Sequence, residues 1–136
     1  CAQVTRSIGA LPVMAHAKEE VEDMVSLAGA LVLNIGTLTS EFIEAQILAG
    51  KKANEKNIPI VLDIVGCGAT PFRTEQTKRI LEAIKITVIK GNYGEISVLS
   101  GVDAEVRGVE SMSSGDNMEA VCQSLAKSQN CVVVAT

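Results

Sequence analysis

The chain has 136 residues, 47% hydrophobic but only 2% aromatic, with a formal charge of −4. That length suits one domain with an aliphatic core, and the acidic balance argues against a nucleic-acid partner, which calls for a basic face. No apolar run approaches the roughly 20 residues of a membrane-spanning helix, and the first residues carry no secretory signal pattern.

The first 15 residues give the weakest signal. A helix reaching Gly9 and a short strand around Pro12 to Met14 are expected. Val21, Met24, Val25 and Ala28 then recur at helical spacing, opposed by Lys18, Glu19, Glu22 and Asp23, so this segment reads as an amphipathic helix. Leu31 to Ile35 is a short apolar run ended by Gly36. Thr39 or Ser40, both good N-caps, opens a second helix. That helix turns Phe42, Ala45, Ala49 and Ala53 inward and Lys51, Lys52, Glu55 and Lys56 outward. Pro59 to Val65 is largely β-branched and reads as a strand, with Gly66 and Gly68 in the turn that follows. A third helix carries Thr77, Ile80, Leu81 and Ile84 on one face, and Ile86 to Ile89 is the next strand. A short helix follows Gly91 and Asn92 and stops near Gly101; residues 102–115 read as loop. Asp116 and Glu119 have the spacing of a capping box, opening a helix that packs Met118, Val121, Cys122 and Leu125. Cys131 to Ala135 is the last strand.

Helices and strands therefore alternate along the whole chain. The strands are continuous apolar runs, as expected where both faces are buried, so the fold class is α/β with a parallel sheet flanked by helices. The start at Cys1 and the strand running to Thr136 lead to the expectation of a segment of a longer domain. None of the cysteines, Cys1, Cys67, Cys122 and Cys131, forms a Cys-x-x-Cys pair, so neither a zinc site nor a redox motif is indicated. Free thiols suit a reducing, cytoplasmic setting, and Cys122 and Cys131 read as core residues.

In open parallel sheets, ligands bind beyond the carboxyl ends of the strands. Those ends are Asn34 to Thr37, Asp63 to Thr70, Lys90 to Glu95, and Thr136. Each mixes small residues, which admit a ligand to the backbone, with polar ones. Asp63 and Glu95 are hard oxygen ligands along one sheet edge and suit Mg²⁺; Lys90 offers a point charge to a phosphate. Structural roles compete. Asp63 can cap the turn into the next helix, Glu95 can be a first-turn carboxylate, and Gly66 and Gly68 can serve a tight turn. His16 reads as a polar residue at a strand end rather than a base. There is neither a dinucleotide fingerprint nor a P-loop. On residue chemistry alone, the reading stops at an α/β domain that binds an anionic ligand.

Four segments carry a more specific resemblance. They are Gly9-Ala10-Leu11-Pro12-Val13-Met14-Ala15-His16, the stretch from Ala28 to Leu38, the stretch from Val61 to Thr74, and Ile89-Lys90-Gly91-Asn92-Tyr93-Gly94-Glu95-Ile96. In order and spacing they resemble the hydroxyethylthiazole kinases, and the last fits the Asn-x-x-Glu motif of the wider ribokinase-like group. The resemblance implies a ribokinase-like fold and phosphorylation of the hydroxyl of 4-methyl-5-(2-hydroxyethyl)thiazole by ATP, in thiamine salvage. It implies that Met14 contacts the thiazole, that Lys90, Asn92 and Thr136 lie along the nucleotide, and that Asp63 and Glu95 organise Mg²⁺. It also implies a homotrimer with active sites between subunits.

The chain departs from the family pattern at Ile64, Cys67, Lys90 and Tyr93. It covers about half of a family member. The family's Gly-rich segment, with the Cys that serves as base, has no counterpart here, nor has the family's N-terminal element. Residues 1–136 are therefore expected to form a single but partial ribokinase-like domain, without the catalytic base. The alternatives are a fragment that only binds nucleotide or forms trimers, and a ribokinase-like hydrate dehydratase.

Overall fold

A computed structural model describes residues 2–101 and 116–136. The order is α1 (Ala2–Ser7), α2 (Val21–Ser26), β1 (Leu31–Asn34), α3 (Ser40–Glu55), β2 (Ile60–Asp63), α4 (Pro71–Ala83), β3 (Val88–Gly91), α5 (Tyr93–Ser100), α6 (Asp116–Gln129) and β4 (Val132–Ala135). The expected loop at 102–115 lies outside the described residues, as does the Asp116 side chain that the expected capping box needs.

Local chemistry sets the helix starts. The Thr39 hydroxyl accepts the Phe42 N–H at 3.1 Å, opening α3. Thr70 does the same for the Arg73 N–H at 3.2 Å, with Pro71 pre-set in the first turn of α4. Gly101 ends α5 in the left-handed region at φ 79°, a conformation glycine adopts without a Cβ penalty. Losing such a cap leaves a helix N–H without its partner. Thr70→Ala is expected to lower the unfolding free energy by about 1 kcal/mol. A urea titration checks this, and an unmoved midpoint would remove the cap from the account.

All four strands are parallel and lie in the order β1-β2-β3-β4. Parallel crossovers are right-handed, so a sheet built outward in one direction receives all its crossover helices on one face. Burial follows that geometry. Leu33, Ile60, Leu62 and Ile89 are buried, together with Ile43, Ala45, Ala49 and Ala53 of α3, Ile80 of α4, Ile96 of α5, and Val121 and Leu125 of α6. The alternate positions carry Val32, Val61, Val88, Val132 and Val134. Of these, Val32 and Val132 are each 57% exposed and Val134 40%.

Several expectations are corrected here. The expected parallel sheet flanked by helices is present, but burial on both faces does not hold among the described residues, because the strand order leaves one face without crossover helices there. No strand forms around Pro12 to Met14. A strand needs a partner, Pro12 has no N–H to give, and Leu11, Val13 and Met14 stay exposed. The third strand starts two residues later than expected, at Val88, and runs through Lys90 to Gly91. Ile86 is buried but precedes the pairing.

Candidate functional site

The register puts Asn34, Asp63, Lys90 and Val134 opposite one another across the four strands. They share the helix-free face at its carboxyl end, where neighbouring strands are about 4.8 Å apart. Lys90 Nζ lies 3.6 Å from Asp63 Oδ2, so the two charged candidates meet. The other Asp63 oxygen, Oδ1, is buried and has no hydrogen-bond partner among the described residues. A buried carboxylate oxygen left without a donor is costly. The position therefore fits a hard cation or a water from its shell. No group of three or more His, Cys, Asp or Glu that could hold a metal occurs among the described residues.

Glu95 is held differently. It is buried, and both its oxygens accept backbone N–H groups. Oε2 takes Asn92 N–H at 2.8 Å, and Oε1 takes Gly66 N–H at 2.7 Å. In return Glu95 donates its backbone N–H to Asn92 Oδ1 at 2.9 Å, completing a capping box. Glu95 thus opens α5 and also ties it to the turn after β2. An oxygen that accepts one N–H keeps a lone pair for another donor or a cation. Gly91 is the close-approach point below: a Cβ there would lie 2.8 Å from Ile64 Cγ1 and 3.1 Å from Glu95 Oε2.

The remaining candidates spread outward. Thr136 is exposed and donates its backbone N–H to Gly91 O at 3.0 Å, which brings the end of β4 beside β3. Met14 is 70% exposed in a segment without regular secondary structure. Just after it, His16 packs tilted against Phe42 of α3 with ring centroids 5.2 Å apart, and Lys18 pairs with Glu44 of α3. His16 anchors this arm, and there is no strand end for it to mark. Of the departures, Ile64 and Cys67 are buried in the core, whereas Tyr93 is 55% exposed.

Burial pushes the Cys67 thiol above its ordinary range, with hydrogen bonding to Thr77 and Thr74 as a weaker opposing effect. The folded state thus favours the neutral thiol. This contribution is complete below the free thiol value of 9.0 and is lost as pH rises from there through the folded value. Urea midpoints for the native chain should fall more between pH 8 and pH 10.5 than those for Cys67→Ala, roughly in line with one buried thiol. Equal falls would show that Cys67 does not titrate with unfolding.

Sequence reasoning gave no role to Arg73. Its Nη1 donates to Ile35 O at 2.8 Å and to Val65 O at 3.2 Å, and its Nη2 donates to Gly36 O at 2.8 Å. The turns after β1 and β2 are therefore joined by one guanidinium. A signal was present: Arg73 stands in the first turn of α4, where the helix dipole disfavours a cation unless something else employs it. Asn34, named only as part of a strand end, and Gln46 also have roles that the sequence does not show. Asn34 Oδ1 accepts Gly36 N–H at 2.8 Å, and buried Gln46 donates to Asn34 O at 2.9 Å.

The arrangement is a rim of three turns on a parallel sheet, with a carboxylate and an amine beside each other and a second carboxylate behind them. Such a rim can hold a cation and phosphate oxygens. The model of the hydroxyethylthiazole kinase family matches residues 1–136. A hydroxyethylthiazole kinase of Thermoanaerobacter pseudethanolicus is 57% identical over 136 residues, which is 100% of this chain and 52% of that protein. One of Methanosarcina acetivorans is 54% identical, again over 100% of this chain and 52% of the relative. The solved hydroxyethylthiazole kinase of Pyrococcus horikoshii OT3 superposes with a TM-score of 0.86 at 41% identity, covering 99% of this chain and 49% of that one. The chain spans about half the length of the relatives it matches.

Proposed function

The chain belongs to the hydroxyethylthiazole kinase family, and from that premise we propose that the whole protein transfers the terminal phosphoryl group of ATP to the hydroxyl of 4-methyl-5-(2-hydroxyethyl)thiazole. One observation carries the reading for this chain's own residues: the buried Asp63 Oδ1, without a hydrogen-bond partner among the described residues, beside Lys90 at the carboxyl edge of the sheet. Asp63 and Glu95 hold Mg²⁺, which when bound neutralises charge on the phosphates. Lys90 attracts the phosphates as a point charge, without the planar fork of an arginine. Asn92 fixes the start of α5, and Thr136 borders the nucleotide. Met14 contacts the thiazole.

Residues 1–136 make up part of a ribokinase-like domain, and the group that takes the proton from the alcohol comes from the rest of the protein. The whole protein is a cytoplasmic homotrimer whose active sites lie between subunits.

The reading is tested with the whole protein, ATP, Mg²⁺ and hydroxyethylthiazole, followed by mass spectrometry of the product. Phosphorylated thiazole above a no-enzyme control is expected, and the 136-residue segment alone should form none. Turnover of a hydrated nicotinamide cofactor in place of thiazole would move the protein to the dehydratases of the same fold.

A further inference from the structure

The Val65–Gly66 peptide is gripped at both ends by opposite charges. Its carbonyl accepts from Arg73 Nη1 at 3.2 Å, and its N–H donates to Glu95 Oε1 at 2.7 Å. Arg73 comes from α4 and Glu95 from α5, and the peptide between them belongs to the turn after β2. Gly66 permits this in two ways. Its φ of 81° lies in the left-handed region, and a Cβ there would be 2.9 Å from Arg73 Nη1 and 3.1 Å from Arg73 Cδ. The guanidinium therefore sits against the bare Cα. The same Nη1 also binds Ile35 O, and Nη2 binds Gly36 O, so the turn after β1 is drawn into the same unit.

We propose that Arg73 is a positioning residue for Glu95: acting through the Val65–Gly66 peptide, it fixes the carboxylate and locks the turns after β1, β2 and β3 into one rim. A cation on the carbonyl polarises the peptide and strengthens the bond from its N–H, because hydrogen bonds in a chain reinforce one another. Charge-assisted bonds at both ends hold one peptide orientation more firmly than neutral ones. The catalytic consequence rests on the kinase reading above; the structural one does not.

The test uses the whole protein as Arg73→Met, Arg73→Lys, Glu95→Gln and the Arg73→Met/Glu95→Gln double variant. The first readout is hydrogen exchange at the Gly66 amide, which needs no activity. Arg73→Met should speed it by about tenfold or more, with Arg73→Lys between this and the native protein, since an amine cannot span three carbonyls. The second readout is kinetic. Arg73→Met should lower kcat about tenfold and raise the Mg²⁺ concentration for half-maximal rate, with KM for thiazole unchanged within about twofold. Against Glu95→Gln, the further effect of Arg73→Met should shrink to less than about twofold, because both changes break one connection.

Unchanged Gly66 exchange, or effects that multiply in the double variant, would overturn the proposal. If Arg73→Met fails to fold, the same two readouts on Arg73→Lys decide. If the native protein does not phosphorylate thiazole, the kinase reading fails, while the exchange result still decides for or against Arg73.

Discussion

Asp63→Ala in the whole protein is expected to lower kcat for thiazole phosphorylation by about 10²- to 10³-fold. That corresponds to about 3–4 kcal/mol of lost transition-state stabilisation. Stability should hardly move. The partner of Asp63 Oδ2 is Lys90 at 3.6 Å, with a side chain 43% exposed, and such pairs contribute at most about 1 kcal/mol. Among the described residues, Oδ1 makes no hydrogen bond that the substitution would break. Asp63→Asn keeps the shape and removes the charge, so it should resemble Ala in rate if the charge holds the cation. Steady-state rates at saturating ATP and thiazole, beside urea midpoints, separate the two effects. A native kcat in Asp63→Ala would take this carboxylate out of the site. A native rate with lost stability would make it a turn residue.

Leu62→Ala is expected to cost about 2–5 kcal/mol of stability. Leu62 is fully buried in β2, between the helices and the two neighbouring strands, so truncation leaves a cavity that aliphatic neighbours cannot readily fill. Val132→Ala, on the helix-free face, should cost less than about 1 kcal/mol in the same 136-residue chain, because little apolar area is removed from water there. Paired urea titrations give both numbers. Comparable losses would mean that the valine face is covered in solution, by a second copy or by self-association. In the whole protein the Val132→Ala cost should rise if further chain packs on that face.

Much of the site was legible from position alone. Asp63, Lys90 and Glu95 stand out because each lies at or just past a strand end, whereas Asn92 takes a site role only through the resemblance; the structure brings Asp63 and Lys90 within 3.6 Å and Asn92 and Glu95 into one capping box. Met14 was reached only through the resemblance, since an exposed methionine in an irregular arm carries no local signal. Arg73 was overlooked because its partners are main-chain carbonyls of two turns, one of them 37 residues away in sequence. Residue type does not reveal bonds to backbone.

By itself, the sequence determined the alternation of helices and strands, the aliphatic core and the helix cap at Thr39. These depend on periodicity, side-chain volume and bonds between residues three or four apart. Only the tertiary structure decided the strand order, and with it which face of each strand is covered. An apolar run such as Val132 to Ala135 reads the same whether one face or both is buried. The order β1-β2-β3-β4 and the right-handed crossover place the described crossover helices on one side. Tertiary structure also decided that Glu95 and Arg73 meet across one peptide. That contact is fixed by how α4 and α5 dock on the sheet, and no spacing along the chain encodes it.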